Sequence, residues 1–269
     1  MKFLNHRVAF TAFLLAGHLA CSSDDTQSAE KPAVVLVHGA WETSSIWTQV
    51  GNELRADGYR VIAVNLPGRP GTAIPPQEAT LDGYRDAVLT ALQDEKGPVI
   101  LVGHSFGGIT ISNVAETAPE RVKTLVFVAA YVPTDGKSTF ELSQSDADSA
   151  IAPHLRPDPT RGVVAVEQEA RGDLFVNDGS AEQKADLAAA LVDEPLQPLR
   201  TPVHVTPNRF GAADKVYVRT TRDLAISPGF QTMRTSSTPV RFSIELDTGH
   251  SPFVTAPGQL AEAIERAAQ

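Results

Sequence analysis

Short, wholly apolar runs alternate along this chain with runs of helical period, and that alternation restricts its fold more than any other feature. "AVVLVHG" (33–39) reads as a buried strand closed by glycine. "TSSIWTQVGNELRADG" (43–58) reads as a helix. Thr43 or Ser44 offers an N-cap, Ile46, Val50 and Leu54 share one face, and Gly58 stops it. The pattern continues with a strand over 59–68 and a helix over 81–95 that stacks Tyr84, Val88 and Leu92. A strand in "PVILVGHS", a helix in "FGGITISNVAETAP" and a strand over 122–133 follow. Apolar strands separated by amphipathic helices must be covered on both faces. The expectation is therefore an α/β protein with a mostly parallel, doubly wound sheet.

The rhythm breaks between about 134 and 208, a stretch rich in proline and acidic residues that holds the helical "AEQKADLAAALVDE". Strands resume in "KVYVRT" (215–220) and "VRFSIELDTGH" (240–250), and "PGQLAEAIERAA" closes the chain as a helix. Residues 134–208 are expected to form a helical cap insertion over the carboxyl edge of the sheet, inside one domain spanning 33–269.

The leader reads separately. "MKFLNHRVAFTAFLLAGHLAC" carries Lys2 and Arg7, then an apolar run from Val8 to Ala16, then small residues. This is the pattern of a secretory signal over residues 1–21, too short for a mature membrane span. The only cysteine, Cys21, stands where such a signal ends, before the polar linker 22–32. Two outcomes follow: acylation of Cys21 as a lipoprotein, or cleavage near Ala20 to give a free secreted protein. His18 departs from the aliphatic residue that lipoprotein signals prefer. Either way an exported protein is expected, periplasmic, anchored to the outer membrane or secreted, with no thiol left for catalysis or a disulfide. Formal net charge is −9 with no long basic run, which argues against nucleic acid as a partner.

"VILVGHSFGGIT" (99–110) carries the chemistry. Gly103-x-Ser105-x-Gly107 between a strand and a helix is the setting of a nucleophile elbow, in which small flanking residues let a strained serine project. A serine hydroxyl needs a base and a group that orients the base. Of seven histidines, His6 and His18 lie in the leader, His38 and His104 flank glycine turns, and His154 and His204 lie in the insertion. His250, in "DTGHSPF" just past the last strand, remains as the base. For the acid, Asp223 follows "KVYVRT". Asp214 precedes that strand, Asp247 is close to His250 along the chain, and Asp135 follows an earlier strand. Asp223 is favoured. The backbone N–H groups of Phe106 and Ala40 are the expected oxyanion donors. No complete Gly-x-x-x-x-Gly-Lys-Ser/Thr motif, no His-Glu-x-x-His and no clustered ligands occur, so neither metal nor cofactor is implied.

The motifs "VLVHGAWETSSIW", "LVGHSFGG", "VFVAAYVP", "VYVRTTRDLAISPGFQ" and "DTGHSPFVTAPGQLAEAI" resemble the α/β-hydrolase superfamily. Within it they are similar to the branch of plant methyl-ester esterases, plant hydroxynitrile lyases and bacterial esterases related to pyrethroid hydrolases. The resemblance spans residues 33 to 266 and implies the α/β-hydrolase fold. It implies Ser105 as nucleophile, His250 as base and Ala40 with Phe106 as the oxyanion pair. In that branch the acid lies shortly before a Pro-x-Phe-Gln segment, which Asp223 with Pro228, Phe230 and Gln231 matches. The lyases carry Thr or Asn where this chain has Gly39, and some carry lysine where it has Ser251, so the resemblance favours ester hydrolysis.

Gly39, Trp41 and His104 are expected to border the substrate pocket, with Phe106 and apolar cap residues. Trp41 is equally a core candidate, and Trp47 reads as core. Arg156, Arg161 and Arg171 are candidates to meet an anionic substrate, or simply solvated. The expected activity is a serine carboxylesterase acting on a small or hydrophobic ester. Rivals are opening of a macrocyclic lactone antibiotic, cyanohydrin cleavage, and a slow-turnover ligand-binding receptor. Oligomeric state is not legible in the sequence.

Overall fold

The computed structural model describes residues 1–2 and 31–269. The signal expectation, Cys21 and His18 included, lies outside the described residues. The chain divides into two units, Met1–Glu30 and Lys31–Gln269, and the second carries the fold.

The expected alternation is observed. β1 (Val34–Val37) leads through a 3₁₀ turn (Ser44–Trp47) into α1 (Thr48–Ala56), and β2 (Val61–Val64) follows. Thr43 does cap this segment, accepting the Ser45 N–H, but it caps the 3₁₀ turn, and the α-helix begins only after Trp47. α2 (Leu81–Ala91), β3 (Val99–His104), α3 (Gly107–Thr117) and β4 (Val122–Val128) complete the first half. α2 ends four residues early, where the Arg121 guanidinium takes the carbonyls of Leu92 and Glu95.

The segment between β4 and the next sheet strand holds α4 (Thr139–Ser143), β5 (Leu155–Asp158), β6 (Val163–Val166), α5 (Gln168–Phe175), α6 (Ala181–Ala190), β7 (Glu194–Pro195) and α7 (Leu196–Arg200). β5, β6 and β7 form an antiparallel three-stranded sheet, so the insertion is mixed rather than helical. Its hairpin turns at "DPTRG". There the Asp158 carboxylate accepts the N–H groups of Thr160 and Arg161, and Gly162 takes a φ of 64°. The apolar "VVAV" after that turn was the strand signal, obscured by the prolines around it.

β8 (Lys215–Thr220), α8 (Pro228–Ser237), β9 (Phe242–Leu246), α9 (Pro252–Thr255) and α10 (Pro257–Ala268) end the chain. The main sheet is six-stranded and parallel, in the order β2-β1-β3-β4-β8-β9. The order reverses on either side of β1 and β3, and there the carboxyl ends of strands open a crevice. Register brings the ends together: Val37 pairs with Gly103, His104 with Val128, and Val128 with Val218. β1 and β3 are wholly buried, which is why they read as unbroken apolar runs, while β2 is a half-exposed edge. No helix among the described residues is long and apolar enough to cross a membrane.

Candidate active site

Ser105 sits between β3 and α3 with φ at 51°, a left-handed conformation costly for a residue with a side chain. The surrounding backbone holds it there. The Ser105 N–H donates to the Val128 carbonyl, and the Ser105 carbonyl accepts from Gly108 and Tyr131, all at 3.1 Å. The flanking glycines are required by close approach. A Cβ at position 103 would lie 2.6 Å from the Gly107 oxygen, and one at 107 would lie 2.7 Å from the Val37 oxygen. The motif is thus the packing condition for a turn that brings a serine to the sheet's carboxyl edge.

The two residues expected to supply oxyanion donors border the same cavity as Ser105. Phe106 precedes α3, and Ala40 precedes Trp41, whose φ is 62°. Neither the Ala40 nor the Phe106 N–H donates to an acceptor among the described residues. The turn around Ala40 is held through Trp41. Its N–H donates to Glu194 Oε2 and its indole Nε1 to the Val164 carbonyl, both at 2.9 Å, and its carbonyl accepts from Val192.

His250 follows β9, buried, with Nδ1 2.8 Å from Asp223 Oδ2. Asp223 lies in the turn after β8, where its carboxylate collects further donors. Thr220 Oγ1 and Gln231 Nε2 reach Oδ2, and the N–H groups of Ala225 and Ile226 reach Oδ1. Gln231 also takes the Thr220 N–H and gives to the Ile226 carbonyl, which explains in bonds the Gln of the Pro-x-Phe-Gln segment. The other acids lie elsewhere. Asp214 pairs with Arg241 at the opposite end of β8, exposed Asp247 with Arg222, and exposed Asp135 with His204. His154 pairs with Glu167 on the insertion.

A cavity of about 360 Å³ opens over these groups. Ala40, Trp41, Ser105, Phe106 and His250 border it, and Tyr131, Ile151, Leu155, Val164, Phe175 and Ile226 supply apolar walls. Of the three expected pocket residues, Trp41 is there. Gly39 and His104 are not among its walls. Gly39 lies behind Ser105, where an added Cβ would come within 2.8 Å of the Ser105 Cβ. His104 is turned inward, wholly buried, between Glu42 and the His250 carbonyl. The three insertion arginines are engaged: Arg156 with Glu167, Arg161 with Asp158 and Asp193, and Arg171 with backbone carbonyls. The cation that does border the cavity is exposed Arg200, which had no signal in the sequence beyond its charge. Trp47 is core, packed against His104 and Phe253. No cluster of three His, Cys, Asp or Glu residues suited to a metal occurs among the described residues.

A strained serine, a buried carboxylate–imidazole contact and two open N–H groups beneath an apolar cavity describe a hydrolase of α/β architecture. The alpha/beta hydrolase family model matches residues 34–263; the chain belongs to that family and is an enzyme of the esterase type. It is 28% identical over 250 residues to putative methylesterase 12 (chloroplastic) of Arabidopsis thaliana, covering 87% of this chain and 71% of the relative. It is 27% identical over 240 residues to the pyrethroid hydrolase of Sphingobium wenxiniae, covering 86% and 85%. Among solved structures, an extracellular alpha/beta-hydrolase from a Paenibacillus species superposes with a TM-score of 0.77 at 27% identity, covering 88% and 98%. That protein is described as sharing structural and functional homology with tobacco salicylic acid binding protein 2.

Proposed function

We propose that the protein hydrolyses small, apolar carboxylic esters through Ser105, His250 and Asp223. The observation that carries the reading is the 2.8 Å contact between His250 Nδ1 and Asp223 Oδ2 at the cavity that Ser105 also lines. Asp223 fixes the imidazole with its proton on Nδ1 and leaves Nε2 free as the base. His250 takes the Ser105 proton as Oγ attacks the ester carbonyl. The oxyanion is met by the N–H groups of Ala40 and Phe106, and the imidazolium returns its proton to the leaving alkoxide. Water activated by His250 then cleaves the acyl-enzyme. Ser105 Oγ has no hydrogen bond to another described residue. Such contacts commonly tighten only with substrate bound.

The volume favours a small substrate. About 360 Å³ lies near the lower end of the roughly 300–1,000 Å³ typical of ligand pockets, which ranks a compact ester above a macrocyclic lactone. The lack of room for a side chain at Gly39 weighs against a cyanohydrin lyase, which would need a hydroxyl or amide there. Methyl esters and pyrethroid-type esters, which two relatives carry in their names, are the first to test. Export, with Cys21 acylated or removed, belongs to the same proposal, and metabolic labelling with a fatty acid separates the two forms.

Turnover of p-nitrophenyl butyrate lost in Ser105→Ala, with stoichiometric labelling of Ser105 by a fluorophosphonate, is the expected result. Retained turnover in Ser105→Ala removes the mechanism. Labelling without turnover of any ester in a broad panel favours the ligand-binding receptor.

A further inference from the structure

A second acid–imidazole pair lies directly behind Ser105 and His250, unused by the chemistry just described. Glu42, in the loop after β1, and His104, the last residue of β3, have side chains 1% and 0% exposed. His104 Nδ1 is 2.9 Å from Glu42 Oε2, and His104 Nε2 is 2.9 Å from the backbone carbonyl oxygen of His250. Glu42 Oε2 also accepts the Gly39 N–H at 2.7 Å.

The proton count follows from these partners. A carbonyl oxygen only accepts, so His104 Nε2 must carry a hydrogen. At Nδ1 the facing oxygen already receives one N–H, and the other oxygen of Glu42 is buried with no hydrogen-bond partner among the described residues. A proton on that second oxygen would have nowhere to donate. Both ring nitrogens are satisfied by an imidazolium beside a carboxylate, or by a neutral ring accepting from a protonated Glu42 Oε2; the Gly39 N–H donated to that same oxygen favours the carboxylate. Burial pushes the His104 ring down, but the Glu42 charge, their hydrogen bond and the His250 carbonyl outweigh it and hold the ring above the ordinary imidazole range. Burial pushes Glu42 up, and the His104 charge and hydrogen bond more than reverse it. Asp223, His250, His38, Arg69 and Glu194 are the other charged or titratable groups around the pair.

We propose that Glu42 and His104 are a charged positioning pair, in which the His104 imidazolium clamps the His250 backbone to the serine turn. The inference rests on reading His250 as the base. The His104 and His250 rings lie 4.6 Å apart between centroids, so a lone buried cation at 104 would oppose the imidazolium that His250 forms in the reaction. Glu42 cancels that charge while leaving the strong donor in place. The clamp joins two turns 146 residues apart, the serine's and the base's, through one charge-assisted bond. It also accounts for Gly39: a Cβ there would lie 2.9 Å from Glu42 Oε2 and 3.0 Å from His104 Nδ1.

The test uses histidine-selective ¹⁵N NMR on the wild-type chain and kinetics on Glu42→Gln and His104→Gln. The expected spectrum shows one ring protonated on both nitrogens at pH 8, absent from His104→Gln and altered in Glu42→Gln. The expected kinetics are a fall in kcat of about 10- to 100-fold with KM within about threefold, and a double variant no worse than the weaker single. A singly protonated His104 at neutral pH overturns the proposal even if neither variant folds. So does kcat within twofold of wild type in both variants. Labelling of Ser105 by a fluorophosphonate is scored separately, so failure of the esterase mechanism is not confused with failure of the clamp.

Discussion

Glu194, carried by the insertion, accepts the backbone N–H of Trp41 at 2.9 Å, so a residue above the site holds the turn that presents Ala40. The same carboxylate is ion-paired with Arg69 and accepts from Tyr84 Oη at 3.1 Å, while Arg69 Nε donates to the Glu42 carbonyl. Glu194, Arg69 and Tyr84 are all buried. Neutralising one partner strands the other charge in a dry environment. Glu194→Gln is therefore expected to cost about 3–5 kcal/mol in urea unfolding. Glu194→Leu combined with Arg69→Met should recover much of that stability but not kcat, because the Trp41 N–H still lacks its acceptor. An equal recovery of both would show that the turn needs no carboxylate.

Asp223 and Asp247 both lie within reach of the His250 loop along the chain, yet only Asp223 touches the imidazole. Asp223→Asn is expected to lower kcat by about 10³- to 10⁴-fold with the fold intact. Asp247→Asn removes an exposed pair with Arg222 and should change kcat by less than about threefold. Comparable losses in the two variants would refute the assignment of the acid.

His38 is pushed down to about 3 by complete burial and by the Arg69 charge. Its Nε2 accepts the Leu66 N–H, and Nδ1 donates to the Gly39 carbonyl. Protonation therefore favours the unfolded chain, where the ring titrates near 6.5. The stability that depends on neutral His38 is complete above about pH 6.5 and is lost as pH falls toward 3. The urea midpoint of the wild type should drop between pH 7 and pH 4.5. His38→Gln, whose amide can make both bonds, should drop less; parallel curves for the two proteins would exclude this residue as a source of acid lability.

Arg200 is exposed at the cavity, 6.0 Å from the centre of the Phe140 ring, with no carboxylate partner among the described residues. Arg200→Glu should lower kcat/KM for an ester with a distal carboxylate by about three- to tenfold relative to a neutral ester of equal length. The difference should shrink in 0.5 M salt as screening increases. An unchanged ratio at low salt would place Arg200 outside the substrate's path.

Much of this was legible in one dimension, because it rests on local physics. Strand and helix follow from apolar period, so the order of elements was readable, and "KVYVRT" coincides with β8 from end to end. The serine turn announced itself because its glycines are demanded by contacts within a few residues or with the adjacent strand. The position of His250 past the last strand followed from chain order. The β5–β6 hairpin was obscured because prolines and acidic residues dilute its short apolar strands.

What the sequence by itself determined is thus the layered α/β architecture and the serine turn, since both are set by periodicity and by backbone sterics over short stretches. Tertiary structure alone put the Asp223 carboxylate against the His250 imidazole, turned His104 away from the cavity toward Glu42, and joined Glu194 to Trp41 and Arg69. Those partners stand 62 residues apart for His104 and Glu42, and 153 for Trp41 and Glu194. Each bond exists because sheet register and the folded-over insertion bring distant polar groups into one dry volume. There most buried donors and charges find a partner, and no local spacing records which one.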